Sequence, residues 1–453
     1  MELENFLKQK VKEKKITKPL NKDAINLQLI DLLSRSYSQF HVVNNIKERL
    51  LKLGFVQLSE HNLTQIEKGK NYFITRNDSS LIAFKVPENI SDIKFNITAA
   101  HTDSPTLKIK PNPVIKRNNV TLLNVEPYGG LIMPTWLDRP LSLAGRVYYE
   151  EDNQIKNSLI AIERELLFIP NVCIHMNRNI NDGYKYNPAV DLLPILSTCE
   201  EDVNFENILK SELGLKDEAK ILSHDLFLFN CDTPKIVGLN NDFLASSRLD
   251  DLASTYSSLL GFENATNEEA ISIYAAFDNE EVGSLTRQGA NSTFLKDILS
   301  RITKSLDYDY ETSIANSVLL SIDNAHANHP NHPELSDQST KVLLNNGIVI
   351  KYNANQKYTS DALSSCIVKK ICENEKLNYQ EYTNRSDLRG GSTLGNISNS
   401  EVSLISVDIG LAQLAMHSSY EIMGLNDIID MVNLTKAFFS SDITISNTAI
   451  TIE

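Results

Sequence analysis

Apolar positions recur at helical spacing between Asp23 and Leu53: Ile25, Leu29, Leu32 and Leu33, then Val43, Ile46 and Leu50. Residues three and four apart share one helix face, so this pattern predicts two helices with a break near Ser36–Phe40. Leu81–Val86 and Lys94–Ala100 are short apolar or alternating runs that read as strands. The pattern changes after Pro105. From Lys108 to about Phe229, short β-type runs such as Val120–Val125 are punctuated by Pro111, Pro113, Gly129 and Gly130. From about Lys235 compact apolar runs return at Ile271–Phe277, Ser317–Ile322, Gly347–Lys351 and Val402–Val407. Runs of that kind mark strands buried on both faces. Asp250–Gly261 and Ser360–Glu373 read as helices between them. The expected fold class is α/β, with a domain built from both ends of the chain, residues 1–107 and 236–453, interrupted by a β-rich insertion at 108–235.

Composition changes this picture only at its edges. A chain of 453 residues exceeds one ordinary core, which agrees with two domains. Against 44 basic residues stand 58 acidic ones, a net charge of −14 that repels phosphate backbones and argues against a nucleic-acid partner. No run approaches the roughly 18 apolar residues of a membrane span. Met1–Lys18 is polar and Lys-rich and reads as a solvated arm without a signal peptide, so a cytoplasmic location is expected. Five cysteines, Cys173, Cys199, Cys231, Cys366 and Cys372, are an odd number without CxxC spacing. They read as buried, reduced thiols.

The chemistry gathers at strand ends. His101 and Asp103 follow one predicted strand, Glu280 and Glu281 follow a second, and Asp323 follows a third with His326, His329 and His332 behind it. Asp250 and Asp251 open a helical run, and His417 lies beyond the last strand. Active sites of open α/β sheets sit outside the carboxyl ends of the strands. A hydrolytic pair of ions about 3.5–4 Å apart needs a bridging carboxylate, with further His and carboxylate ligands. It also needs a carboxylate, not itself a ligand, to take a proton from water. Glu280 and Glu281 suit these two roles because neighbouring side chains diverge; spacing does not say which residue takes which role.

Each feature has a plainer reading on its own. Asp250 could cap a helix, Glu280–Glu281 could be a solvated turn, and His326-x-x-His-x-x-His could be a surface loop or a structural zinc site. Five such features on one scaffold outweigh those separate readings.

At these residues the chain resembles the aspartyl aminopeptidase family of dizinc metallopeptidases. The resemblance rests on Ala99-Ala-His-Thr-Asp-Ser-Pro, Arg248-Leu-Asp, Asp278-Asn-Glu-Glu-Val-Gly-Ser, Asp323-x-Ala-His-x-x-His-Pro-Asn and Gln413-Leu-Ala-Met-His-Ser. Looser matches at Phe40-His-Val-Val, Tyr128-Gly-Gly, Thr135-Trp-Leu-Asp-Arg and Gly390-Gly-Ser-Thr-Leu-Gly extend it over nearly the whole chain. It implies a zinc-aminopeptidase-like catalytic domain with a mixed central sheet flanked by helices, and a β-rich dimerisation domain. It implies two divalent ions per subunit, zinc first, with manganese or cobalt as alternatives. His101 and Asp323 would complete one ion's ligands and Glu281 and His417 the other's, with Asp250 bridging both. Glu280 would be the general base, and Asp103 would fix the tautomer of His101. His326 would stabilise the oxyanion, and Lys351 and Tyr358 would line the substrate pocket. His175 looks like the residue a neighbouring subunit presents to the active site; a plain interface histidine is its other reading. The resemblance further implies peptide substrates, an acidic N-terminal preference and a homododecamer.

The chain departs from the family pattern at Arg385-Ser-Asp387 and Gly129-Gly-Leu131, and neither departure is expected to touch a metal ligand. The same centre could serve a carboxypeptidase, a deacylase or an aminopeptidase preferring neutral residues. A catalytically inactive scaffold would not need Glu280 together with every ligand.

Overall fold

The computed structural model describes residues 21–62, 65–198, 203–388, 390–446 and 448–453. The expected arm at Met1–Lys18 and the thiol of Cys199 lie outside them. The N-terminal apolar periodicity forms helices Lys22–Ser34 and Gln39–Lys52, separated at 35–38. Asn21 starts the first by accepting hydrogen bonds from the backbone N–H groups of Asp23 and Ala24.

Nine strands form the main sheet. Their spatial order is Val56–Leu58, Asn71–Arg76, Ser80–Lys85, Ile271–Phe277, Phe95–His101, Val318–Ile322, Ile405–Gly410, Ile348–Tyr352 and Tyr379–Thr383. The four from Ile271–Phe277 to Ile405–Gly410 run parallel to one another, and antiparallel neighbours flank them, so the sheet is mixed. Side chains alternate between its faces. Tyr274, Ala276, Leu320 and Ile322 enter one core with helices Leu249–Asn264 and Leu425–Ser440. Ile273, Ala275, Ile97 and Leu319 enter a second core with helix Phe294–Leu306. Double-sided burial explains why these strands read as continuous apolar runs.

A seven-stranded sheet occupies the chain between Thr106 and Asn230. Strand Lys220–Asn230 pairs with Thr106–Arg117 and also with Pro140–Glu151, so the sheet closes on itself around its own core of Leu107, Leu123, Leu143 and Leu226. Gly145 makes one of these pairings possible. With φ of +154°, it lies where a Cβ would come within 2.0 Å of the Asp225 carbonyl oxygen.

Some expectations need correction. The strand expected at Val402–Val407 is Ile405–Gly410, because Val402 ends the helix Leu394–Glu401, its N–H donating to the Ser398 carbonyl and its side chain buried in the second core. The helix expected from Ser360 begins at Ala362, where Asp361 and Ser364 form a capping box. Of the four described cysteines, Cys372 is buried, Cys231 is half-buried, and Cys173 and Cys366 are exposed; all four are free thiols. Among the described residues no helix is long and apolar enough to cross a membrane.

Candidate metal centre

The parallel strands bring the chemistry together at one edge. Phe277 pairs with His101, and Ser321 with Ala99, so residues just beyond these strands emerge side by side at the carboxyl edge. Asp103, Glu280, Glu281 and Asp323 arrive this way. Strand Ile405–Gly410 then leads through Ala412–Leu414 into the loop that carries His417. Asp250 comes from the opposite direction, at the start of helix Leu249–Asn264, where Asp250 and Asp251 have non-helical dihedrals. It does not cap that helix: Arg248 holds the cap position with no side-chain bond, and Asp250 Oδ1 has no hydrogen-bond partner.

Asp250 stands between two imidazoles. Its Oδ1 lies 3.6 Å from His101 Nε2, and its Oδ2 lies 3.4 Å from His417 Nε2. His417 Nε2 is also 3.5 Å from Glu281 Oε2. These separations exceed good N–H···O distances and leave the lone pairs converging on shared space. His101, Asp250, Asp251 and Asp323 offer ligand atoms to one point, and Asp250, Glu281 and His417 offer them to another. The outward nitrogens are anchored. His101 Nδ1 lies 3.0 Å from the Asp103 carbonyl oxygen and 3.4 Å from its carboxylate, and His417 Nδ1 lies 2.9 Å from the Gly130 carbonyl oxygen. Such anchoring leaves the Nε2 atoms as the ones facing the shared space.

Asp103 also organises the acidic turn. Its carboxylate accepts the backbone N–H groups of Glu280 at 3.1 Å and Glu281 at 3.2 Å, and the Tyr128 hydroxyl at 2.7 Å. Glu280–Val282 is a short 3-10 turn, and the Glu281 carboxylate is sequestered rather than solvated.

The electrostatics favour added positive charge. Burial, together with Asp103, Asp323 and Asp250 and against His101, pushes the Glu280 carboxyl up to about 8. Burial and Asp103 do the same to Asp278, and burial with Asp250 raises Glu281 well above the usual carboxylate range. His417 goes up to about 10: burial opposes its charge, but Asp250 and Glu281 outweigh it. So many carboxylates cannot stay ionised together in a buried site unless cations join them. The mixed nitrogen and oxygen donors, with buried lone pairs on Asp250 and Asp251 left unbonded, fit divalent metal ions.

The remaining sequence candidates fall into two groups. Lys351 and Tyr358 adjoin the cluster. Only 2% of Lys351 is exposed, and its ammonium donates to the carbonyls of Asp323 at 2.7 Å and Asn324 at 3.2 Å, 3.7 Å from an Asp323 carboxylate oxygen. A lysine simply snorkelling to solvent is thereby ruled out. Its Nζ lies 5.1 Å from the centre of the Tyr358 ring. The rings of Tyr358 and His326 each approach Tyr382, at 6.3 and 6.4 Å, forming one wall beside the cluster. Desolvation, reinforced by Lys351 and His417, holds His326 below its ordinary pKa. His175 is different: it lies on an exposed loop of the closed β-sheet and is not among the side chains that converge on Asp250.

The expectation that Gly129–Leu131 stands clear of the centre is wrong. Gly130 anchors His417, and Gly129, at φ +73°, sits where a Cβ would lie 3.1 Å from that of Glu281. Sequence reasoning also missed Tyr128 as a partner of Asp103, though Tyr128-Gly-Gly was a visible motif. It missed Asn324, Gln413 and Glu421 too; their only signal is proximity to the motifs.

The comparisons with known proteins identify a zinc metalloprotease family. The profile of the family described as "Aminopeptidase I zinc metalloprotease (M18)" matches residues 32–439. A Clostridium acetobutylicum protein named "Probable M18 family aminopeptidase 2" is 46% identical over 411 residues, covering 88% of this chain and 95% of its own. A protein of the same name from Ectopseudomonas mendocina is 38% identical, covering 91% and 97%. Among solved structures, that of a complex of Ape4 and Nbr1 superposes with a TM-score of 0.88 at 33% identity, covering 92% of this chain and 86% of that one. The Saccharomyces cerevisiae mApe1 dodecamer superposes at 0.81 with 26% identity, covering 93% and 97%. The chain therefore belongs to the aminopeptidase I zinc metalloprotease family, M18, and is a metallo-aminopeptidase.

Proposed function

We propose that the centre holds two divalent ions, zinc before manganese or cobalt, bridged by Asp250. The position of Asp250, one oxygen toward each histidine, carries this reading. His101 and Asp323 would complete one ligand set, and Glu281 and His417 the other. Bound ions would supply Lewis acidity toward the scissile carbonyl and the attacking water. Glu280, whose backbone is held by Asp103 and whose carboxylate converges with His101 and Glu281, would take the proton from that water and return it to the leaving amine. Asp103 holds His101 in the tautomer that presents Nε2. His326, on the open side of the wall, donates to the developing oxyanion.

The substrate is a peptide with a free N-terminus, and the first residue is preferentially Asp or Glu. Lys351 supports this preference: two of its N–H groups meet backbone carbonyls, and its remaining charge, facing Asp323 at 3.7 Å, lies beside Tyr358 where a substrate carboxylate would share it. A charge-assisted hydrogen bond of about 1.5–3 kcal/mol there favours an acidic residue over leucine by about tenfold to a hundredfold. Comparing kcat/KM on Asp-, Glu- and Leu-terminated peptides tests it. The wild type should prefer the acidic peptides, and Lys351→Met should abolish the preference; a wild type that cleaves leucine best refutes it.

The division at 1–107, 108–235 and 236–453 gives the insertion an assembly role. Val172, Ile174 and Met176 on its loops, and Val190 on the short helix Pro188–Asp191, expose apolar surface, with Met176 84% exposed. We read this surface as a subunit contact in a homododecamer, the assembly named for the S. cerevisiae structure. In it His175 would reach a neighbouring active site. The proposed location is the cytoplasm.

A further inference from the structure

Glu421 is a buried carboxylate that the reaction itself does not use. It opens strand Glu421–Gly424, which lies between Phe243–Ser246 and Ala412–Leu414, and only 2% of it is exposed. One oxygen, Oε2, accepts the backbone N–H of Asp250 at 3.1 Å. The other, Oε1, accepts the backbone N–H of His417 at 2.8 Å and the Gln413 side-chain amide at 3.3 Å. A single carboxylate thus grips two backbone positions that belong to different elements and carry converging side chains.

We propose that Glu421 is a positioning residue that holds Asp250 and His417 in register for the second metal ion. This inference rests on the dinuclear reading given above.

Three observations support it. The His417 loop needs restraint, because Ala415 and His417 both have left-handed backbone, at φ of 57° and 67°, which non-glycine residues adopt unfavourably. The N–H that Glu421 accepts belongs to one of those two residues. The grip also continues beyond Glu421. Gln413 Oε1 accepts from the Asn324 amide at 2.7 Å, and Asn324 also donates to the Leu249 carbonyl at 2.8 Å and accepts from the Ser254 hydroxyl at 2.8 Å. The network therefore joins the residue after Asp323, the residue before Asp250 and the His417 loop. Finally, the two backbone N–H groups fall on separate oxygens of one side chain. A carboxylate is the side chain that can accept two N–H groups on separate oxygens without offering a donor to either.

Glu421→Gln tests the idea, since it keeps shape while turning one oxygen into an NH2 that faces a backbone N–H. The zinc concentration giving half-maximal activity should rise about tenfold to a hundredfold, the range expected when support behind a metal ligand is lost. Excess zinc should restore most of kcat, and KM for the peptide should stay as in the wild type. A merely structural contact would lower thermal stability without a loss that zinc repairs. Wild-type zinc dependence in Glu421→Gln, or a loss of kcat that excess zinc leaves in place, overturns the proposal. If the glutamine variant does not fold, Glu421→Asp carries the test: it keeps the charge but is too short to span both N–H groups, and should show a smaller shift in the same direction. Asp250→Asn, assayed in parallel, separates the two levels of inference. If it keeps its full zinc content, the dinuclear reading fails; if it loses zinc while Glu421→Gln binds as the wild type does, only the role of Glu421 falls.

Discussion

Asp250 and Glu280 are both buried carboxyl groups within one cluster, and their neighbours suit them to the different roles proposed for them. Asp250 has an imidazole opposite each oxygen, an arrangement suited to sharing between cations. Glu280 is pinned through its backbone N–H by Asp103, and burial raises its carboxyl to about 8. A carboxylate held in place through its own backbone suits proton transfer to and from a water. Glu280→Gln should therefore keep its metal content, measured by elemental analysis, while kcat falls by about 10²-fold or more. Loss of metal from Glu280→Gln, with metal retained by Glu281→Gln, would reverse the two roles. At this scale the gathering of His101, Asp103, Glu280, Glu281 and Asp323 was legible, since each stands at or just beyond a strand end. The sequence was illegible where a residue acts by reach. Tyr128 sits in a visible Tyr-Gly-Gly motif and Glu421 close behind His417, but nothing in either stretch says that the side chain reaches Asp103 or the Asp250 backbone.

Strand ends convert fold into site. Asp323 is fixed because its N–H donates to Ile409 across the parallel pair at 3.0 Å, and Gly410 lets the two chains approach closely. A Cβ at Gly410 would lie 2.0 Å from the Asp323 carbonyl oxygen. Gly410→Ala should displace Asp323 and raise the zinc requirement while the secondary structure seen by circular dichroism persists. Unchanged zinc affinity would show that Asp323 is not held this way. Elements buried on both faces, such as Ile271–Phe277, were legible because nearly every residue is apolar, Ser272 being the exception. Boundaries were harder: Val402 is as apolar as a strand residue but ends a helix, and the start of helix Ala362–Glu375 depends on the Asp361 cap rather than on periodicity.

At the scale of the whole molecule, a mixed sheet carries the centre and a closed β-sheet stands beside it. The closed sheet is not remote from the chemistry, since Tyr128 and Gly130 reach back to Asp103 and His417. The β-rich character of this region was legible from its short runs and turn residues. Its closure, through the pairing of Lys220–Asn230 with Pro140–Glu151, was not, because long-range register leaves no local trace. Its exposed apolar loops should bury themselves between subunits. Light scattering at micromolar concentration should therefore give the mass of twelve chains; a monomer would refute the assembly and the role of His175. The central claim is that two ions share the space around Asp250, and a zinc titration of metal-free protein tests it most directly. Release of the N-terminal residue from a free-amine peptide should be absent without metal and reach its plateau at two equivalents per chain. Full turnover by verified metal-free protein, or a plateau at one equivalent, would contradict it.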